Sequence, residues 1–469
     1  MGLNSQKRAQ KREQIKIMRQ LFVRERAFYR TFFILAGTLI LEQAVVLSVN
    51  LADNVMIGSY SEVSLAGVAA VNQIQFVVQQ IAFAISNGLI VLSGQYWGRK
   101  QTKPIRQLSA IALKAGILFA LVMFAAASLF PEALVRIFVK DEAIVAEGVR
   151  YLGIIRFTYL FFAVTTVLLG VMRSVETVRL ALGVSCVSLV VNCCINYVLI
   201  SGRFGAPELG VAGAAVGTLT ARILEFVIVW VYVFGKDKKL GLRGRDIFSL
   251  DRVLGMDYLR TATPVILQGT LWGLANAIQT AILGHMSNNA IAAYSVSSTI
   301  FLLLKVAAAG ACTAATILIG KQVGSGDRTH LRQYVTTLQA LFVGTGVTLC
   351  IALNLIRVPL LSVYKVSPET YELASAFILI QSVVLLTMSY QMPVNVGIIR
   401  GGGDTRYAVI LDLISIWGIV IPFSCLAAFV FHWPAVAVVI CLNADQVFKC
   451  VPAAIYGNSY RWVRDLTRG

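Results

Sequence analysis

Apolar stretches long enough to cross a bilayer recur along this chain from about residue 29 almost to the C-terminus. Twelve are expected, at 29–57, 63–96, 105–130, 144–171, 180–201, 209–234, 259–284, 289–320, 333–358, 369–398, 407–431 and 433–457. Each exceeds the roughly 20 residues that span the hydrocarbon core as a helix. Their continuity predicts helices, because an outer-membrane barrel alternates polar and apolar positions over segments of roughly ten residues. With 57% of the residues hydrophobic, 14% charged and a mean hydropathy of +0.75, the fold class is an all-α polytopic membrane protein.

The basic residues orient the spans. If the N-terminus is cytoplasmic, nine of the 41 Lys and Arg fall in the first thirty residues and seven more between Lys236 and Arg260. Extracytoplasmic loops then hold only Arg136, Lys140, Arg203, Arg357 and Lys365. This asymmetry follows the positive-inside rule and places both termini in the cytoplasm. The net charge of +18 is accounted for by topology and by attraction to anionic headgroups, with no nucleic-acid partner. The basic stretch through Arg30 is too long for a cleavable signal peptide and leads directly into a full span. Most of the eight cysteines sit in apolar segments without a CxxC pair, a pattern of packing residues and not of disulfides or metal ligands.

The chain is also internally duplicated. At an offset of 226 residues Asn50 meets Asn276, Gly58 meets Gly284, Gly94 meets Gly320 and Arg106 meets Arg332. At an offset of 227, Gly170, Arg173 and Arg179 meet Gly397, Arg400 and Arg406. Six spans per copy return the chain to its starting side, so the two copies form a parallel repeat, an arrangement that frames a substrate site between pseudo-symmetric halves. The expected organisation is a basic cytoplasmic leader at 1–28, a first six-helix lobe at 29–234, a cytoplasmic linker at 235–258, a second six-helix lobe at 259–457 and a tail at 458–469. The copies differ at one informative place: Asp53 of the first faces Gln279 of the second, and Glu42 faces Gln268.

Signatures of catalysis are missing. There is no GxxxxGK[ST] phosphate loop, HExxH, GxSxG elbow or aspartate-rich metal box, so an enzyme is not expected. The Gly-rich loops at Gly94 to Gly98 and Gly320 to Gly326 lack the Lys and Ser or Thr of a phosphate cradle and read as turns.

Several segments resemble the multidrug and toxic compound extrusion (MATE) family. They are LADNVMIGSYSEVSLAG (Leu51 to Gly67), GQYWGRK (Gly94 to Lys100), NCCINYVLISGRFGAPELGVAGAAVGT (Asn192 to Thr218), GHMSNNAIAAYSV (Gly284 to Val296), GKQVGSGD (Gly320 to Asp327) and IIRGGGDTR (Ile398 to Arg406). The resemblance covers nearly all of the chain after the leader. It implies twelve helices in two six-helix lobes around a central cleft, and export of amphipathic, usually cationic compounds driven by inward flow of H+ or Na+. Asp53 matches the acid of the first span that couples transport to the ion in many members. The partner polar positions of the fifth and sixth spans fall on Asn192, Asn196 and Thr218. Several members carry an aspartate where this chain has Asn196, which leaves one carboxylate in the cluster.

The residue types agree with ion binding. Asn192 and Asn196 are four apart and share a helix face. With the Thr218 hydroxyl and the Asp53 carboxylate they would form a small oxygen-lined site of charge minus one, suited either to a monovalent cation such as Na+ or to a proton on Asp53 alone. The alternative is that these side chains only hydrogen-bond between helices. Glu42 lies eleven residues before Asp53, close to three helical turns, so both acids share a face of the first span with Asn50 nearby. Glu42 is either a second ion-responsive acid or the partner of an intramembrane base such as Arg156 or Arg222. Substrate-cleft candidates are Asn50, Gln268, Asn276, Gln279, Trp272 and Tyr390, the aromatic ones offering π-faces to cations. In the second half, Lys305 and Asp412 are charged candidates expected to pair, because unpaired charge at that depth is costly. Asp404 is expected to cap a helix.

The function expected is secondary active export of amphipathic or cationic compounds from the cell, antiported against H+ or Na+ in the cell membrane. No cofactor is expected beyond the ion, the partners are the bilayer and the small-molecule substrates, and the chain is expected to be a monomer. Two alternatives stand beside it: a flippase for a lipid-linked oligosaccharide or cell-wall precursor, and a noncatalytic channel or receptor.

Overall fold

A computed structural model describes residues 22–248, 251–286, 288–362 and 367–468. Most of the basic leader, Lys365 and Ser287 of the second-half motif therefore lie outside the described residues. The described chain is helical, with no strand and one isolated bridge between Gly403 and Val463.

The principal helices are α1 (Arg26–Gly58), α2 (Glu62–Gly98), α3 (Thr102–Leu129), α4 (Glu142–Ile155), α5 (Thr158–Ser174), α6 (Arg179–Leu199), α7 (Val211–Lys236), α8 (Arg252–Met286), α9 (Asn288–Ser325), α10 (Arg328–Leu361), α11 (Pro368–Ile399), α12 (Thr405–Val430) and α13 (Ala435–Ser459). Short polar residues mark several starts. The Ser61 hydroxyl accepts from the Ser64 amide ahead of α2, Asp141 accepts from the Ala143 and Ile144 amides ahead of α4, and Ser367 accepts from the Thr370 amide ahead of α11. Each satisfies amides that have no partner within the helix. π-helical turns occur at Pro393–Ile399 in α11 and at Leu413–Val420 and Leu426–Val430 in α12.

Ten of these helices are long and apolar enough to cross a membrane, and α4 with α5, bent by 52° at their junction, make an eleventh if taken as one span. The helix α8 has the length, at 35 residues. Its Gln268, Asn276 and Gln279 are the residues that dilute its apolar character.

Packing divides the chain into two units, Thr38–Gly273 on one side and the residues through Gly37 with Leu274–Gly469 on the other. The division cuts α1 and α8, which the repeat relates to each other. The core of the Thr38–Gly273 unit gathers Val71, Leu152, Ile155, Ala163 and Ala215 from α2, α4, α5 and α7. The core of the other unit gathers Leu283, Phe377, Leu385, Val438 and Val439 from α8, α11 and α13. The helices bury little on their outer faces: α10 is only 17% buried over its most apolar window, as expected where lipid and not water faces the helix.

Candidate functional site

Within the Thr38–Gly273 unit, α1, α6 and α7 bring together the four residues of the expected ion site. Asn196 Nδ2 donates to Asp53 Oδ1 at 2.6 Å. The same amide donates to Asn192 Oδ1 at 3.3 Å, and Asn192 Nδ2 donates to Thr218 Oγ1 at 3.3 Å. Asn192 and Asn196 are both fully buried. Their spacing of four places them one above the other on α6. Close approach of α7 completes the group: a Cβ on Gly217 would meet Asn196 Oδ1, so only glycine lets the helix come near enough for Thr218 to reach Asn192.

The cluster holds one carboxylate and an incompletely satisfied set of oxygens. Asn196 Oδ1 is buried with no hydrogen-bond donor among the described residues. Beside Thr218 lies a cavity of about 20 Å³, lined also by Gln75, Gln79, Tyr159, Phe162 and Arg222. That is room for one water molecule. The Gln75 Nε2 and Tyr159 hydroxyl groups are likewise buried without partners. With donor and acceptor groups both left unmatched, the cavity could hold a water that bridges them.

Glu42 is the partner of an intramembrane base, one of its two expected readings, but the base is a different arginine. Its carboxylate forms a buried ion pair with Arg173 on α5, and neither Arg156 nor Arg222 is its partner. Arg222 instead pairs with Glu225 at 2.7 Å and stacks over the Phe162 ring at 4.9 Å. Arg156 lies over the Phe124 and Phe157 rings. Arg173 stands in the last turn of α5, which runs through Ser174, past the expected end at residue 171, and it is buried. Asn50, on the same helix as Glu42, is exposed and takes no part in the cluster.

In the other unit, Asp412 meets Lys449 at 2.7 Å, and Lys449 also meets Asp445 at 2.9 Å. Lys449 and Asp445 are almost fully buried. From this triad a polar chain runs along α13 and α11. Gln446 donates to Asp445 at 2.7 Å, Gln391 donates to Gln446 at 2.7 Å, and Asn395 donates to Gln391 at 3.0 Å. Sequence reading named Asp412 and Lys305 but missed Lys449 and Asp445. Their spacing of four on one helix was the available signal.

The remaining candidates are distributed. Gln279, the repeat partner of Asp53, donates weakly to the Leu442 carbonyl at 3.4 Å. Trp272 lies 6.5 Å from the Phe76 ring, centroid to centroid. Tyr390 donates to Gln339 at 2.9 Å, and Gln339 donates to Asn458 at 3.1 Å near the end of α13. Gln268 and Asn276 are partly buried on α8, and Lys305 lies on α9. Asp404 caps α12 through the Tyr407 amide, in line with the sequence.

Fold and geometry together define a duplicated, helical membrane protein with a polar cluster around Asp53 in one unit and a polar network around Lys449 in the other. Comparison with known proteins is specific. The MatE family model matches residues 38–198 and again 264–426, two matches that begin 226 residues apart in the register of the internal repeat. The chain belongs to the MatE family. Among curated proteins it is similar to a probable multidrug resistance protein NorM of Thermotoga maritima, 25% identical over 413 residues and covering 88% of each chain. It is also 26% identical over 396 residues to a probable multidrug resistance protein NorM of Xylella fastidiosa, covering 81% of each. Among solved structures, a MOP superfamily transporter from Pyrococcus furiosus shares the fold, with a TM-score of 0.84 at 16% identity over 92% of this chain and 95% of that one. A multidrug resistance MATE family transporter in an outward-facing conformation has a TM-score of 0.83 at 17% identity, with the same coverage.

Proposed function

We propose that this chain is a secondary active multidrug exporter of the cell membrane. The observation that carries the reading is the Asp53 carboxylate held by Asn196 beside Asn192 and Thr218, inside a chain of the MatE family whose curated relatives include several named as probable multidrug resistance proteins. In this reading the twelve expected spans, α4 with α5 forming one and α8 another, make two six-helix lobes with both termini cytoplasmic.

Each residue of the cluster has a definite part. Asp53 supplies the charge that attracts H+ or Na+, Asn192 and Asn196 supply amide oxygens, and Thr218 supplies a hydroxyl oxygen. With Asp53 charged, the Asn196 amide is held by a charge-assisted hydrogen bond. Neutralising the charge weakens that bond and frees the Asn196 amide to turn its unsatisfied Oδ1 toward a donor such as a protonated Asp53, a change in packing between α1, α6 and α7. Transport then requires that ion and substrate favour different arrangements, since a ligand shifts an equilibrium only by its differential affinity. Amphipathic or cationic compounds would bind to the form with Asp53 free and leave when the ion returns.

Ethidium accumulation in cells expressing the chain tests this reading. Expression lowers accumulation, and an ionophore that collapses the driving gradient abolishes the difference. Equal accumulation with and without expression, given the protein in the membrane, would count against export.

A further inference from the structure

The tail that follows α13 is a fixed part of the structure. Trp462 is fully buried, and its indole N–H donates to the Gly457 carbonyl at 2.8 Å. It packs so closely on Gly402 that a Cβ there would run into the ring. The Arg464 amide donates to the Gly402 carbonyl at 3.0 Å, and its guanidinium meets Asp404 at 2.9 Å. Asp404 also accepts from the Tyr456 hydroxyl at 2.8 Å. The chain enters this arrangement through Tyr460, at a left-handed φ of 57°. The tail is thus folded back as a wall against the helix ends.

Between that wall and the first turns of α10 lies a cavity of about 470 Å³. Arg328 and Arg332 from α10 and Arg461 from the tail line it, with Asn458 and Tyr460 offering further polar groups and Leu331 and Val463 an apolar lining. Arg328 and Arg332 are four apart and share a helix face. Among the described residues no carboxylate forms an ion pair with any of the three arginines. The carboxylates nearby are committed elsewhere. Asp327 accepts from the Thr329 and His330 amides and meets the His330 ring at 2.5 Å, interactions that hold its carboxyl below the ordinary range, the His330 amide first among them. Asp404 is taken by Arg464 and Tyr456. Three like charges around one concavity repel one another unless an anion joins them, and forked guanidinium donors match phosphate oxygens.

We infer that this cavity is a binding site for a phosphate ester, held by Arg328, Arg332 and Arg461, which ties the C-terminal tail to the start of α10. The site lies where two helices read as membrane spans end, at the level of lipid headgroups, and a basic pocket in that position recognises anionic headgroups. The same chemistry is offered by a soluble phosphate. The inference depends on the spanning of α10 and α13 and not on the ion site at Asp53, so export and phosphate binding fail or succeed separately.

The purified full-length protein in neutral detergent provides the test, with its thermal unfolding followed as dioctanoyl phosphatidylglycerol is added. Dioctanoyl phosphatidylcholine and sodium phosphate, each at matched ionic strength, are the comparison arms. A ligand of the folded state raises the unfolding temperature in a saturable way. Phosphatidylglycerol is expected to do so and phosphatidylcholine not. The half-saturating concentration is expected to rise roughly fivefold in Arg461→Gln and roughly a hundredfold in the variant with Arg328, Arg332 and Arg461 all changed to Gln. Arg461→Lys, which keeps the charge but not the fork, recovers only part of the affinity lost by Arg461→Gln. Protection by sodium phosphate with the same arginine dependence supports the site and assigns it to a soluble ligand. Equal effects of the two lipids without phosphate protection, or half-saturation unchanged by the arginine substitutions, overturn it. Should the triple variant not fold, Arg461→Gln alone decides, because its side chain is exposed.

Discussion

Asn196 gives its amide Nδ2 to the Asp53 carboxylate at 2.6 Å while its own Oδ1 stays buried without a donor. The amide is turned so that its donors serve the acid and its acceptor is left empty, a one-sided arrangement that a bound cation or a reoriented donor would complete. An Asn196→Leu substitution removes the donor and leaves Asp53 short of its partner. Loss of a hydrogen bond to a buried charged group costs about 1.5–3 kcal/mol. The expected result is a lower unfolding temperature together with transport that needs a steeper ion gradient. Wild-type transport at every gradient tested would argue that Asn196 only packs.

Glu42 and Arg173 form a buried ion pair in the same unit, with Glu42 Oε2 and Arg173 Nε left without partners. Removing one member strands a charge in the interior, at a cost of roughly 3–5 kcal/mol. Glu42→Gln is therefore expected to unfold at a markedly lower temperature. Glu42→Gln combined with Arg173→Met, which removes both charges, recovers most of the loss. If the single and double variants unfold together, the pair is not the source of the effect.

Lys449 joins Asp412 and Asp445 in the other unit at 2.7 and 2.9 Å. Lys449→Met leaves two carboxylates close together without their cation. The predicted outcome is a destabilisation of roughly 3–5 kcal/mol, read as a loss of folded protein in size-exclusion chromatography. Asp412→Asn in the same chain is expected to restore part of it by lowering the repulsion. No recovery in that double variant would mean that Asp412 does not share in the triad.

Gly217 permits the contact between α6 and α7, because an added Cβ meets the Asn196 side chain. Gly217→Ala is expected to displace Asn196 and cost about 1–3 kcal/mol, the scale of overpacking in a closed core. Ion dependence should change with stability in this variant. Gly183→Ala, at a position with open space around it, serves as the control and is expected to behave as wild type.

Much of the architecture was legible because the signals were long. Spans of more than twenty apolar residues and a repeat over half the chain survive errors of a few residues at each end, and the family match at 38–198 and 264–426 falls in the same register. The Asp53 cluster was legible for another reason: Asn192 and Asn196 are local neighbours on one helix, and a resemblance connected them to the distant Asp53 and Thr218. The Glu42 partner was not legible. Choosing among intramembrane arginines requires the depth and rotation of each helix, and Arg173 lay just outside the expected span that ended at residue 171. The pairing of Asp412 with Lys449 joins α12 to α13 across a contact that sequence spacing does not encode.

Asp53 is proposed to couple an inward ion to outward transport. Purified wild-type protein and Asp53→Asn, reconstituted to equal density in liposomes, provide the direct measurement: dye movement under an imposed proton gradient and, separately, an imposed sodium gradient. Asp53→Asn is expected to fold, reconstitute and bind substrate but to move it no faster under either gradient than with none. Gradient-driven transport by Asp53→Asn at the wild-type rate would contradict it.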